Sequence, residues 1–94
     1  MSDIKQGENR FYIGSESRVD AEIHFEETDD ETMVIDHTFV DPSKREEGLG
    51  SKLVAKAVEH AREEGLKIDP VCSFARDTLE QTPDYHDVLK TDDE

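Results

Sequence analysis

The chain has 94 residues, enough for one domain whose fold can bury only about two thirds of its surface. Its 25 acidic against 11 basic residues give a formal net charge of -14, which repels nucleic acid and anionic membranes and argues against a polyanion-binding role. Hydrophobic residues make up only 33%, yet they fall in periodic runs, the pattern of a folded domain with a heavily solvated surface.

After a polar start, Arg10-Phe11-Tyr12-Ile13 is aromatic and β-branched, and Gly14 to Ser17 form a turn. Val19 to Phe25 then alternates apolar and polar with period two, the mark of a strand with one buried face, so the two runs predict a hairpin. The acidic turn Glu26 to Glu31 leads into a third run, Thr32 to Val40, apolar on both faces at its start and expected to be a central strand covered on both sides. From Leu49 the apolar positions Leu49, Leu53, Val54, Ala57, Val58 and Ala61 make one stripe of an amphipathic helix, which Gly65 ends as a C-cap. Leu66 to Cys72 reads as a short strand, parallel to the third because a helix separates them, with Pro70 restricting it to an edge or to partial pairing. Phe74 to Gln81 and Asp84 to Leu89 predict two short helices around Pro83, and the tail at 91–94 is expected to be disordered. The lone Cys72 leaves no internal disulfide framework, Met1-Ser2-Asp3 carries no apolar signal region, and no run is long enough for a transmembrane helix. A cytoplasmic location is expected.

The junction of third strand and helix is Arg45-Glu46-Glu47-Gly48-Leu49-Gly50, followed by Ser51-Lys52. The first turn of a helix leaves backbone N–H groups unpaired, and glycines let an anion approach them closely. Between Lys44 and Lys56 four basic residues stand against two acidic ones, a local net of +2 in a chain of -14. From the residues alone the turn is either an anion site or simply the start of a helix, and the basic cluster either its complement or a solvated face.

The same six residues fit the [QR]-x-x-G-x-[GA] signature, and with their place between a central strand and a long helix they resemble the GNAT superfamily of N-acetyltransferases. Asp36-His37-Thr38-Phe39-Val40 before the turn, Pro70-Val71-Cys72-Ser73-Phe74 after it, and Thr82-Pro83-Asp84-Tyr85 with Asp87-Val88 near the end are similar to a small single-domain subgroup, the acetyl-CoA-binding N-acetyltransferase-like proteins. The resemblance spans about Phe11 to Leu89 and implies one α+β domain over 1–90. That domain is a reduced GNAT-like fold, with antiparallel strands, a strand-helix-strand crossover giving a parallel splayed pair, and short C-terminal helices.

It also implies that acetyl-CoA is the donor substrate. Its pyrophosphate would lie on the backbone N–H groups of Arg45, Glu46, Glu47, Gly48, Leu49, Gly50 and Ser51, with Lys44 and Lys52 in reach of phosphate. Where the subgroup commonly has glycine this chain has Glu46, whose carboxylate must point away from the diphosphate or weaken its binding. Pantetheine would fill the gap between the splayed strands as a pseudo-strand on the backbone of Thr38, Phe39 and Val40. The thioester would then come within reach of Cys72, which either accepts the acetyl group as a thiolate or lines the pocket. His37 is a candidate general base because its unperturbed pKa suits proton transfer near neutrality; strand parity groups it with Met33, Ile35 and Phe39, and a structural histidine is the alternative. Asp36 is expected to face solvent or cap a turn, and Phe74 and Tyr85 to be core or pocket wall. His24, His60 and His86 have no partners spaced for a metal site, and none is expected.

Two functions follow. One is an N-acetyltransferase moving acetyl from acetyl-CoA to an amine, through direct attack or through Cys72; the acidic surface favours a cationic acceptor, a polyamine or a protein amine. The other is a non-catalytic acetyl-CoA or CoA sensor or adaptor. Typical GNAT domains carry N-terminal helices that build the acceptor side, whereas here the first hairpin runs almost directly into the central strands, so that wall is thin or missing.

Overall fold

The structure, a computed structural model, describes residues 4–28 and 30–90, with the side chains of Arg45 and Glu46 outside that set. The tail at 91–94 likewise lies outside the described residues. Five strands form one sheet in sequence order: β1 (Ile4–Gly7), β2 (Arg10–Gly14), β3 (Val19–Glu27), β4 (Thr32–Val40) and β5 (Lys67–Pro70). The first four pair antiparallel and β5 runs parallel to β4, as a strand-helix-strand connection requires. Helix α1 (Leu49–Glu64) makes that connection, and α2 (Ser73–Gln81) follows β5. The fold is the α+β arrangement expected, with one strand more than the sequence predicts. β1 escapes notice because its four residues carry one aliphatic side chain and its register comes entirely from pairing with β2.

The stripe on α1 is buried throughout, from Leu49 to Ala61, against Phe11, Ile23, Phe25, Met33, Ile35 and Ile68 of the sheet. Each such side chain taken fully out of water contributes roughly 1.5–3 kcal/mol before entropy is counted. Gly65 caps α1 in the left-handed region at φ 71°, and Leu66 N–H closes the cap on Ala61 C=O at 2.8 Å. Ala75 and Leu79 of α2 join the same core, so both helices lie on one face of the sheet. β4 is therefore covered on one side only, which corrects the expectation of a strand covered on both. The outer face of the sheet carries strand-to-strand pairs such as Arg10 of β2 with Glu22 of β3, and the Arg10 guanidinium lies 4.4 Å above the Tyr12 ring.

Two further expectations are corrected. Pro42–Glu47 is a 3-10 helix rather than a plain turn, capped by Asp41, whose Oδ1 accepts from Ser43 N–H at 2.9 Å and from Ser43 Oγ at 2.7 Å. After α2, Pro83–Tyr85 is a 3-10 turn, and Asp84 to Leu89 is not a helix. Instead, Ile68 N–H donates to Val88 C=O and Lys90 N–H to Ile68 C=O, so the chain end lines the second edge of β5. Arg62 holds this segment to α1 through both oxygens of Asp87, at 2.9 and 2.7 Å, and through Asp84 C=O.

Candidate functional site

The site is built where β4 and β5 stop pairing. Their register runs from Thr32 with Lys67 to Ile35 with Pro70. Val71 and Cys72 N–H then both donate to Ile35 C=O at 3.0 Å, and the chain turns away at Cys72 to start α2. Pro70 has no N–H to extend the ladder. β4 runs on to Val40, so its second half has an open edge facing the gap. Asp41 N–H donates to Asp20 C=O, and antiparallel alternation then directs the backbone groups of Phe39 toward β3 and those of Thr38 and Val40 into the gap.

A β-bulge decides which side chains meet there. His24 stands opposite His37 while Phe25 stands opposite Ile35, so Asp36 is an extra residue and side-chain parity reverses across it. Met33 and Ile35 point to the helices before the bulge; Thr38 and Val40, paired with Ile23 and Ala21, point there after it. His37 and Phe39 are thereby turned to the outer face, which corrects the grouping of His37 with Met33 and Ile35. Asp36 is exposed and its Oδ1 lies 2.7 Å from His24 Nδ1. The sequence carries one mark of this, the adjacent polar residues Asp36 and His37 in an otherwise apolar run.

On the helix side the gap opens into a cleft of about 350 Å³ lined by Thr38, Val40, Gly48, Gly50, Ser51 and Phe74. Gly48, at φ 70°, ends the 3-10 helix and begins α1 without a side-chain cap, a conformation that costs other residues. The first in-helix bond is Lys52 N–H to Gly48 C=O at 3.2 Å, leaving Leu49, Gly50 and Ser51 N–H without an acceptor inside α1. No acidic side chain occupies the first turn of α1, so the positive end of the dipole is not neutralised there. Gly50 is closely approached by α2: a Cβ there would sit 2.8 Å from Phe74 Cζ and 3.4 Å from Val40 Cγ2.

Cys72 Sγ lies 3.4 Å from Thr38 Oγ1, across the point of divergence. Burial pushes the thiol up, but the Thr38 hydroxyl and the backbone N–H groups of Ala75 and Phe74 at the mouth of α2 together outweigh it, and the thiol ends below its ordinary value of 9.0. Of the residues singled out by sequence, Thr38, Val40, Gly48, Gly50 and Ser51 meet at the cleft and Cys72 adjoins it. Leu49 is buried in the core; Lys44, Glu47 and Lys52 lie outside the lining, and the side chains of Arg45 and Glu46 are outside the described set. Phe74 walls the cleft while Tyr85 packs at the edge of the core. The Thr38–Cys72 contact could not be read in advance, since it depends on the parity reversal.

The other histidines have structural partners. His60 packs on Phe11 and Phe25 at 5.5 and 5.7 Å and bonds Glu27 at 2.9 Å, and His86 Nε2 lies 3.1 Å from Glu80 C=O. Among the described residues no His, Cys, Asp and Glu cluster has the geometry of a metal site, and no helix is long and apolar enough to cross a membrane.

A bulged central strand, a parallel neighbour that parts from it and a helix N-terminus at the end of the gap make an α+β fold with a cleft suited to an anion at one end. A family model described as GCN5-related N-acetyl-transferase matches residues 10–88, and the chain belongs to that family. Its structure is similar to an NMR solution structure of a GCN5-like candidate N-acetyltransferase from Staphylococcus aureus. The TM-score is 0.82 at 47% sequence identity, covering 94% of this chain and 87% of the other.

Proposed function

We propose that the protein binds acetyl-CoA in the cleft between β4 and α1 and moves the acetyl group to an amine. The observation that carries this reading is the coincidence, at one end of the gap, of open α1 N–H groups with the close approach at Gly50, where a side chain would fill the space. Backbone groups from Glu47 to Ser51 would hold the pyrophosphate, with Arg45 and Glu46 contributing their N–H groups and Lys44 and Lys52 screening the charge from nearby. Thr38 and Val40 would offer their gap-facing backbone groups to pantetheine beside Phe39, directing the donor's activated carbonyl toward Cys72. Cys72, with its lowered thiol pKa, would be the acetyl acceptor of a covalent route, and His37, at the bulge, the base for the incoming amine. A lone reduced thiol suits a cytoplasmic setting.

One observation favours a non-catalytic sensor as the second reading: both helices lie on one face, so no described element encloses an acceptor on the other. Thermal melting with acetyl-CoA and with CoA tests binding. A ligand at about 100 times its Kd adds roughly 2.7 kcal/mol, about 10–20 °C in Tm for a domain of this size. No shift with either ligand rejects both readings. A shift with acetyl transfer to lysine peptides, protein N-termini or polyamines supports the enzyme, and a shift without transfer supports the sensor. Peptide-mapped mass spectrometry after incubation with acetyl-CoA decides the route, because acetylation at Cys72 supports the covalent one and acetylation confined to another nucleophile rejects it.

A further inference from the structure

Among the described residues, Phe39 and Val71, at 40% and 57%, are the large hydrophobic side chains exposed outside the cleft lining, and the donor path as drawn uses neither side chain. Their positions are linked. Thr38 Oγ1 and Cys72 Sγ touch across the strand divergence at 3.4 Å, on the helix side of the sheet. Phe39 is the chain neighbour of Thr38 and Val71 that of Cys72, and consecutive Cα atoms lie about 3.8 Å apart. The parity of β4 beyond the bulge turns Phe39 outward, and Val71, exposed between buried Pro70 and half-buried Cys72, is turned outward as well. The outer mouth of the divergence is therefore flanked by two apolar side chains, one from each strand.

On the helix side there is no room past the Thr38–Cys72 contact. Cys72 packs against a core in which Ile35, Ala75 and Leu79 have no exposed surface, its N–H donates to Ile35 C=O at 3.0 Å, and α2 begins at the next residue. Ahead, the pairing of Ile35 with Pro70 closes the gap. A chain that enters at Gly50 and reaches Cys72 has one direction left, outward between Phe39 and Val71.

We propose that this mouth takes the tail of the donor, so that the site holds acyl-CoA thioesters with short and medium hydrocarbon chains as well as acetyl-CoA. The inference rests on the donor reading above, which brings the thioester carbonyl to Cys72. Each carbon beyond the acetyl methyl then leaves the gap on the outer face, against the Phe39 ring and the Val71 methyls. The occupant follows from continuity with the cleft: an apolar exit at the acyl end of a CoA path suits a hydrocarbon, as the open N–H groups at its other end suit phosphate. Full burial of a methylene tightens binding about fourfold. Two side chains on an open face cover only a few carbons and leave them partly wet, so the gain over a medium chain is a fraction of that.

Calorimetric titration of the wild type and V71S with acetyl-, butanoyl- and octanoyl-CoA tests this, with thermal melting of each protein alone. In the wild type affinity is expected to rise from acetyl- through butanoyl- to octanoyl-CoA by about tenfold overall. V71S should bind acetyl-CoA as the wild type does and keep about threefold or less of the octanoyl gain. Because Val71 is exposed, V71S should melt near wild type, and V71T repeats the comparison if V71S does not fold. Octanoyl-CoA binding no tighter than acetyl-CoA in the wild type overturns the proposal. So does an octanoyl gain that the Val71 variant leaves intact, since the tail then lies elsewhere. Failure of the wild type to bind acetyl-CoA or CoA is a separate result that removes the donor reading itself.

Discussion

Replacing Gly50 by alanine separates the cleft from the fold. The new methyl would sit 2.8 and 3.0 Å from two atoms of the Phe74 ring and 3.4 Å from Val40 Cγ2. Phe74 is 41% exposed, so its ring can give way by a few tenths of an ångström, and the packing cost should fall at the low end of the usual 1–3 kcal/mol, near about 1 kcal/mol. Alanine in place of glycine in a helix returns up to about 1 kcal/mol, so the two effects nearly cancel and the apo Tm should stay within a few degrees of wild type. The ligand has no such compensation. The methyl and the displaced ring both enter the cleft, and we expect acetyl-CoA affinity to fall at least about tenfold, roughly 1.4 kcal/mol. Calorimetric titration with acetyl-CoA beside thermal melting reads both quantities. An unchanged apo Tm with unchanged affinity would refute the assignment of the cleft. Gly48→Ala is the contrasting case: nothing lies within 4 Å of its Cβ, but φ is 70°, so it should lose about 1 kcal/mol or more, roughly 4–8 °C in Tm, through backbone strain.

Three further outcomes are expected. The alkylation rate of Cys72 by iodoacetamide, followed against pH, should have its midpoint below 9.0, and Thr38→Val should move it upward; a midpoint that ignores Thr38 would contradict the contact. Arg62→Ala should lower Tm near pH 7 by loosening the C-terminal segment. Its partner Asp87 is held below the ordinary carboxylate value of 3.8, first by the Arg62 hydrogen bond and against burial, so the stabilisation is present above 3.8 and lost as pH falls through the folded value. The difference between the two melts should therefore narrow as pH falls below 3.8, leaving the part due to Arg62 on Asp84 C=O, and a difference independent of pH would argue against the pair. His37→Gln should leave acetyl-CoA stabilisation intact and reduce acetyl transfer about 10²- to 10⁴-fold, the usual range for a lost base; full activity would exclude His37 from that role.

How much could be read from the chain itself depended on whether local pattern or long-range pairing decides each element. The α1 stripe is local, since six apolar positions at helical spacing admit one buried face, and all six are buried. Gly65 as a C-cap and Pro70 as the residue that limits β5 follow from their own backbone chemistry. The junction of strand and helix was legible from Gly48 and Gly50, although the role of Gly50 against Phe74 appears only once α2 is folded back. β1 and the strand-like segment up to Lys90 have little pattern of their own, because pairing creates them, with the neighbouring β2 in the first case and with Ile68 of β5 in the second. The bulge at Asp36 matters most. A single extra residue reversed the parity that period-two reasoning assigns, moving His37 and Phe39 to the outer face and Thr38 toward Cys72.

The most direct test of the account is an NMR titration of the ¹⁵N-labelled protein with acetyl-CoA, following backbone amides. The account predicts that the largest shifts fall on Thr38, Phe39 and Val40, on Gly48, Leu49, Gly50 and Ser51, and on Phe74, while β1 and β2 stay still. Absence of shifts at saturating ligand, or shifts centred on the β1–β2 hairpin, would contradict it.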